Sequence, residues 1–161
     1  MKPKVYVETT IVSYLTAWRS FQLVMAANQE STRQWWDNDR KYFELFISEI
    51  VIQEATAGDI EAANRRLEAI KDLQELPVTD DAHRLAKELI DKAHLPVKAQ
   101  VDALHIAVAT VNGMDYLLTW NCKHIANAML QTKMRMICES LGYEMPVIST
   151  PIELNAEYEH D

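Results

Sequence analysis

Short apolar runs alternating with longer helical stretches predict a three-layer α/β/α sandwich around a mostly parallel sheet. Three observations carry that expectation. Lys4–Val7 and residues 42–47, 116–119 and 146–149 are brief and apolar, with β-branched or aromatic side chains. Between them, apolar residues recur at helical spacing and are bounded by Ser, Thr, Asp or Gly. The chain has 161 residues, 48% of them apolar and 25% charged, which suits one domain, 1–161, burying roughly 70% of its unfolded surface.

The first strand, Lys4–Val7, is followed at once by Glu8, and Thr9 or Thr10 is positioned to cap a helix over residues 11–15. A polar, Trp-bearing stretch, 28–40, reads as helix and leads into the strand at 42–47. Ser48 then caps a helix over 49–57, closed by Gly58, and Asp59 caps another over about 60–74, where Ala63, Leu67, Ile70 and Leu73 line one face. Residues 76–78 are a short extended piece. Thr79 or Asp80 starts a helix through Ala93, which Leu95 and Pro96 break. Residues 99–112 are strongly helical, with Ala103, Ile106, Ala107 and Thr110 spaced to face a core. After the strand at 116–119 come a helix over about 125–141, ended by Gly142, and the strand at 146–149. Thr150 and Pro151 read as the cap and first residue of a further helix.

Composition excludes several classes. The three glycines, Gly58, Gly113 and Gly142, lie too far apart to build a dinucleotide-binding fingerprint, a P-loop or a nucleophile elbow. Two cysteines, Cys122 and Cys138, indicate a reducing cytoplasm rather than a disulfide scaffold, and no C-x-x-C pair exists for structural zinc. No run approaches eighteen apolar residues and the N-terminus has no apolar export segment, so a membrane location is not expected. The net charge of −8 disfavours phosphate binding by simple charge neutralisation, unless acids are concentrated around a cation that reverses the local field. Trp35 and Trp36 are expected to pack on a core or partner helix, Arg65 and Arg66 to form a solvated face, and Met129, Met134 and Met136 to fill gaps in a core or dimer surface.

In a parallel sheet, ligands sit beyond the carboxyl ends of the strands. Four polar residues fall there: Glu8 after the first strand, Glu54 about two helical turns beyond the second, Asp102 in the first turn of the 99–112 helix, and Asn121 just past the strand at 116–119. Each alone has a plain alternative, as a helix-start charge, a polar helix face, a paired acid or a turn residue. Together they form a candidate acidic pocket. Two carboxylates about 5 Å apart repel by roughly 3 kcal/mol at an effective dielectric near 20, and a hard cation such as Mg²⁺ or Mn²⁺ offsets that repulsion.

The order of strand–acid–Thr-Thr, then Ser48 to Glu54, then Asp102-Ala103-Leu104-His105-Ile106-Ala107-Val108-Ala109, then Leu117-Leu118-Thr119-Trp120-Asn121 resembles a PIN domain. The resemblance runs from Val5 to about Leu154. It implies a metal-dependent ribonuclease, commonly the toxin of a VapC-type toxin–antitoxin pair, with Mg²⁺ or Mn²⁺ as cofactor. RNA, an antitoxin protein and a second copy of the chain are the partners it implies. By position, Glu8, Glu54 and Asp102 match the metal-binding acids and Asn121 the strand-end asparagine. Thr9 and His124 are candidate substrate contacts, His124 equally a solvated loop histidine; His105 is a further candidate, although its apolar neighbours favour a packed core histidine. Two departures stand out: Glu8 occupies a position more often Asp, and His124 replaces a further acid. They keep open an alternative, a degenerate PIN module that binds RNA or protein without cutting.

Overall fold

The computed structural model describes residues 1–156. Five strands, β1 (Lys4–Val7), β2 (Glu44–Ser48), β3 (Gln74–Leu76), β4 (Tyr116–Leu118) and β5 (Val147–Ser149), form one sheet in the order β3-β2-β1-β4-β5. Every pairing is parallel. Among the described residues seven α-helices accompany it: α1 (Thr9–Thr16), α2 (Leu23–Gln34), α3 (Glu49–Ala55), α4 (Ile60–Ile70), α5 (Asp80–Lys92), α6 (Gln100–Val111) and α7 (Ala128–Ser140).

The strand order sets the layers. From β1 the chain steps outward through β2 to β3, then returns to the other side of β1 for β4 and β5. Right-handed crossovers therefore place the helices before and after the return on opposite faces. Contacts agree: α1 packs on α2, α3 and α4, while α5 packs on α6 and α7. The direction reverses between β1 and β4, so the crevice beyond their carboxyl ends is the place such a sheet offers a ligand.

β1 is buried on both faces, with Val5, Tyr6 and Val7 fully enclosed, as a central parallel strand must be. The strand at 116–119 ends at Leu118, although the Thr119 N–H continues the ladder to the Ser149 carbonyl at 3.0 Å. β3 was not separable from the helix expected through 74. That helix stops at Ile70, because the next turn gives way to a polar edge strand. The expected helix over 28–40 begins earlier, at Leu23, and ends in a π-turn over Trp35–Asp39. Trp35 is buried there, its indole N–H donating to the Leu154 carbonyl at 2.5 Å, while Arg40 lies over Trp36.

Other local expectations need correction. Arg65 and Arg66 do not form a solvated face: Arg65 donates to the Thr16 carbonyl at 3.2 Å, and Arg66 to Ala55 at 2.9 Å, tying down the carbonyl ends of α1 and α3. Thr150 and Pro151 open a turn, with no helix after it among the described residues. Met134 is buried, whereas Met129 and Met136 are exposed.

Three helices end alike. After α6 and α7, Gly113 and Gly142 adopt φ of 71° and 85°. The next N–H reaches back five residues in each case: Met114 to Ala109 at 3.0 Å and Tyr143 to Cys138 at 2.9 Å. After α5 the same geometry falls on His94, at φ 54°, with Leu95 bonded to Ile90 at 3.0 Å. A side chain in that left-handed conformation costs about 1 kcal/mol. His94→Gly is therefore expected to stabilise the fold by about 0.5 kcal/mol after the entropy glycine adds to the unfolded chain, raising Tm by about 1–2 °C in a thermal melt.

Candidate metal centre

The site is built at the junction where β1 meets α1. The N–H of Glu8 donates to the Leu118 carbonyl at 3.1 Å, extending the β1–β4 ladder by one residue and fixing Glu8 at the switch point. Glu8, rather than Thr9 or Thr10, then caps α1. Its Oε2 accepts from the Thr10 N–H at 3.1 Å. The extra methylene of Glu lets the carboxylate fold back over the helix start, a geometry that the expectation of a threonine cap did not anticipate.

Two threonine hydroxyls hold the other oxygen. Thr10 Oγ1 and Thr119 Oγ1 each donate to Glu8 Oε1 at 2.5 Å. Each hydroxyl also accepts a backbone N–H: Thr10 from Trp120 at 2.8 Å, and Thr119 from Asn121 at 2.9 Å. Their protons are thus committed to Glu8, which is buried. Thr119 was missed because it reads simply as the last residue of a strand.

A second chain of bonds starts at Thr9. Its hydroxyl donates to Glu54 Oε1 at 2.6 Å, so its proton is committed within the protein rather than offered to a substrate phosphate. Glu54, on α3, keeps its side chain 39% exposed. The same Oε1 lies 2.6 Å from His105 Nε2. Burial by itself would raise the Glu54 pKa, but the bond and charge of His105 and the Thr9 hydroxyl outweigh it, and the carboxyl titrates below its ordinary value. His105 is fully buried, with Nδ1 at 2.7 Å from the Tyr6 hydroxyl. The packed core position favoured by its apolar neighbours is what the structure shows, and the other expectation, a substrate contact, is corrected: it lies beneath Glu54, out of reach of an incoming chain.

Asp102 and His124 close the other side. Asp102 is in the first turn of α6, three residues before His105 and so on the same helix face. Its Oδ2 lies 2.9 Å from His124 Nδ1. The His124 N–H donates to Asn121 Oδ1 at 3.1 Å, and the Asn121 carbonyl accepts from Ala126 at 2.8 Å, so Asn121 shapes the loop that carries His124. A continuous path runs Glu8–Thr119–Asn121–His124–Asp102. Together with the separate chain Thr9–Glu54–His105, it places all seven predicted residues in two hydrogen-bonded chains.

Ligand atoms of Glu8, Glu54 and His105 lie within 4.8 Å of one another. Asp102 stands outside that trio, held by His124. The donors suit a hard divalent cation: Glu54 Oε2 and Asp102 Oδ1 have no protein hydrogen bond among the described residues, and the close carboxylates of Glu8 and Glu54 gain from a positive charge between them.

Residues 5–122 match the family model for the PIN domain. A comparison with curated proteins finds no match. Among solved structures, the fold is similar to VapC20 of Mycobacterium tuberculosis, described as a sarcin-ricin loop cleaving toxin. The TM-score is 0.57 and the identity 17%, over 74% of this chain and 92% of that one. It is also similar to VapBC2 from Rickettsia felis bound to a DNA fragment from its promoter, with a TM-score of 0.52 and 16% identity over 91% of this chain and 98% of the other. At these identities the structural likeness speaks for the fold alone.

Proposed function

The chain belongs to the PIN domain family, and from that premise we propose that it is a Mg²⁺- or Mn²⁺-dependent ribonuclease acting as the toxin of a toxin–antitoxin pair. The single observation that carries the reading is the close approach of Glu8 and Glu54, with ligand oxygens within 4.8 Å of each other, where β1 ends, while Asp102 lies one helical turn before His105 and is held by His124. Glu54 through Oε2 and Asp102 through Oδ1 would hold the ion, with Glu8 supplying charge and its remaining lone pair. A bound divalent cation supplies polarisation of a phosphoryl oxygen and an activated water.

The protein's own part is to fix the acids before substrate arrives. Thr9 and His105 orient Glu54; Thr10 and Thr119 orient Glu8; His124 orients Asp102. His124, through the ring nitrogen turned away from Asp102, is the group best placed to meet a phosphate or leaving oxygen. RNA as substrate, an antitoxin and a second copy of the chain as partners, and a cytoplasmic setting belong to this reading. No helix among the described residues is long and apolar enough to cross a membrane.

One observation favours the degenerate alternative, in which RNA is bound but not cut. The position of the further acid carries His124, and that imidazole is occupied with Asp102. The two readings separate in one assay. The purified chain, incubated with a structured RNA and Mn²⁺, is expected to cleave it, to stop on chelation and to resume when Mn²⁺ is restored. RNA retention without cleavage at any Mn²⁺ concentration would establish the degenerate module instead.

A further inference from the structure

We propose that His105, anchored by Tyr6, is a positioning residue that holds Glu54 Oε1 so that Oε2 alone is presented to the metal. The proposal rests on the reading of the cleft as a divalent-metal site.

The geometry is a relay of buried groups. Ser48 Oγ lies 2.7 Å from the Tyr6 hydroxyl, Tyr6 lies 2.7 Å from His105 Nδ1, and His105 Nε2 lies 2.6 Å from Glu54 Oε1. An ionised carboxylate oxygen can only accept, so Nε2 carries the proton of that last bond. The nitrogen is thereby committed to Glu54. Direct ligation through it would require that proton to leave and the carboxylate to swing away. The Tyr6 hydroxyl is fully enclosed between Ser48 Oγ and His105 Nδ1, 2.7 Å from each.

Ser48 supplies an independent sign. It stands at the N-cap position of α3, where a serine ordinarily bonds the helix's own N–H groups, yet it makes no such bond. Its hydroxyl is directed to Tyr6 instead. A local stabilising bond is forgone for one that leads to the cleft. The relay is rooted in β1, the central strand, so it ties a half-exposed acid on α3 to the most enclosed part of the sheet. Such outer partners of a metal ligand typically change metal affinity by 10- to 100-fold.

The test is Mn²⁺ affinity by titration calorimetry. Tyr6→Phe keeps the ring and removes the link, and is expected to weaken Mn²⁺ binding by about tenfold. In a Glu54→Gln background the same change is expected to have less than about a twofold effect. His105→Gln, whose amide can still donate to Glu54, is expected to bind more tightly than His105→Ala. Equal losses from Tyr6→Phe in both backgrounds would reduce the relay to general packing and overturn the proposal. So would pulsed EPR of the Mn²⁺ protein showing a directly bound imidazole nitrogen. If the unaltered protein binds no Mn²⁺, the metal reading itself falls and this proposal with it. Normal Mn²⁺ binding together with a silent Tyr6→Phe would overturn the positioning role alone.

Discussion

Asp102→Asn is expected to lower Mn²⁺-dependent RNA cleavage by at least about 100-fold while leaving a cooperatively folded protein. The argument turns on which oxygen does what. Oδ2 accepts from His124 Nδ1 at 2.9 Å, and an asparagine carbonyl can keep that bond with the same shape. What is lost is the charge and the second oxygen, Oδ1, which has no protein partner among the described residues and faces the cleft from the first turn of α6. A 100-fold loss corresponds to about 2.7 kcal/mol of transition-state stabilisation, within the range for removing one preorganised charged group. Single-turnover cleavage measures it. A urea melt alongside should place stability within about 1 kcal/mol of the parent, since the His124 bond survives. Undiminished cleavage in this variant would remove Asp102 from the chemistry and end the nuclease assignment.

The sequence made the frame of this site legible and left its wiring hidden. β1, β2 and β4 were readable because a central parallel strand is buried on both faces and must be a short apolar run, such as Val5-Tyr6-Val7 or Leu45-Phe46-Ile47. Once those strands were placed, the rule about their carboxyl ends selected Glu8, Asp102 and Asn121 without further information. The hydrogen bonds that hold the acids could not be read. Thr119 reaches Glu8 across 111 positions and Tyr6 reaches His105 across 99, and no local pattern encodes such pairs.

Local rules also misled where tertiary contacts outweighed them. Ser48 has the residue type and position of a helix cap, but a buried phenol captures its hydroxyl. Gln74 and Glu75 belong to an exposed edge strand, and two polar residues with one buried Leu76 carry no alternation to distinguish them from a helix end. His94 occupies a left-handed cap where glycine would have been a clear stop signal. In each case the missing information was a partner distant in the chain or a conformation that residue type does not announce.

Glu8 should behave unlike Asp102, because it is both a helix cap and part of the acidic cluster. Glu8→Ala removes the acceptor for three donors: the Thr10 N–H and the hydroxyls of Thr10 and Thr119. Both hydroxyls already accept backbone N–H groups, and the acceptor left within reach of either is the other hydroxyl, at 3.5 Å, so at least one proton loses its partner. Loss of the cap costs about 0.5–2 kcal/mol and stranding a buried donor about 1–3 kcal/mol, so a combined loss of about 2–4 kcal/mol is expected, lowering Tm by roughly 5–12 °C. Glu8→Gln separates the two roles. Its amide oxygen can accept from both hydroxyls, leaving only the Thr10 N–H opposed by an NH₂, so stability should fall by about 1–2 kcal/mol. The carboxylate charge is gone in both variants, and Mn²⁺ affinity by calorimetry should fall at least tenfold in each. A Glu8→Gln protein that kept full Mn²⁺ affinity would leave Glu8 as a cap alone and place the ion nearer Glu54 and Asp102. Matching stability losses in the two variants would instead mean that the threonine hydroxyls find other acceptors, and that the carboxylate is not what ties α1 to β4.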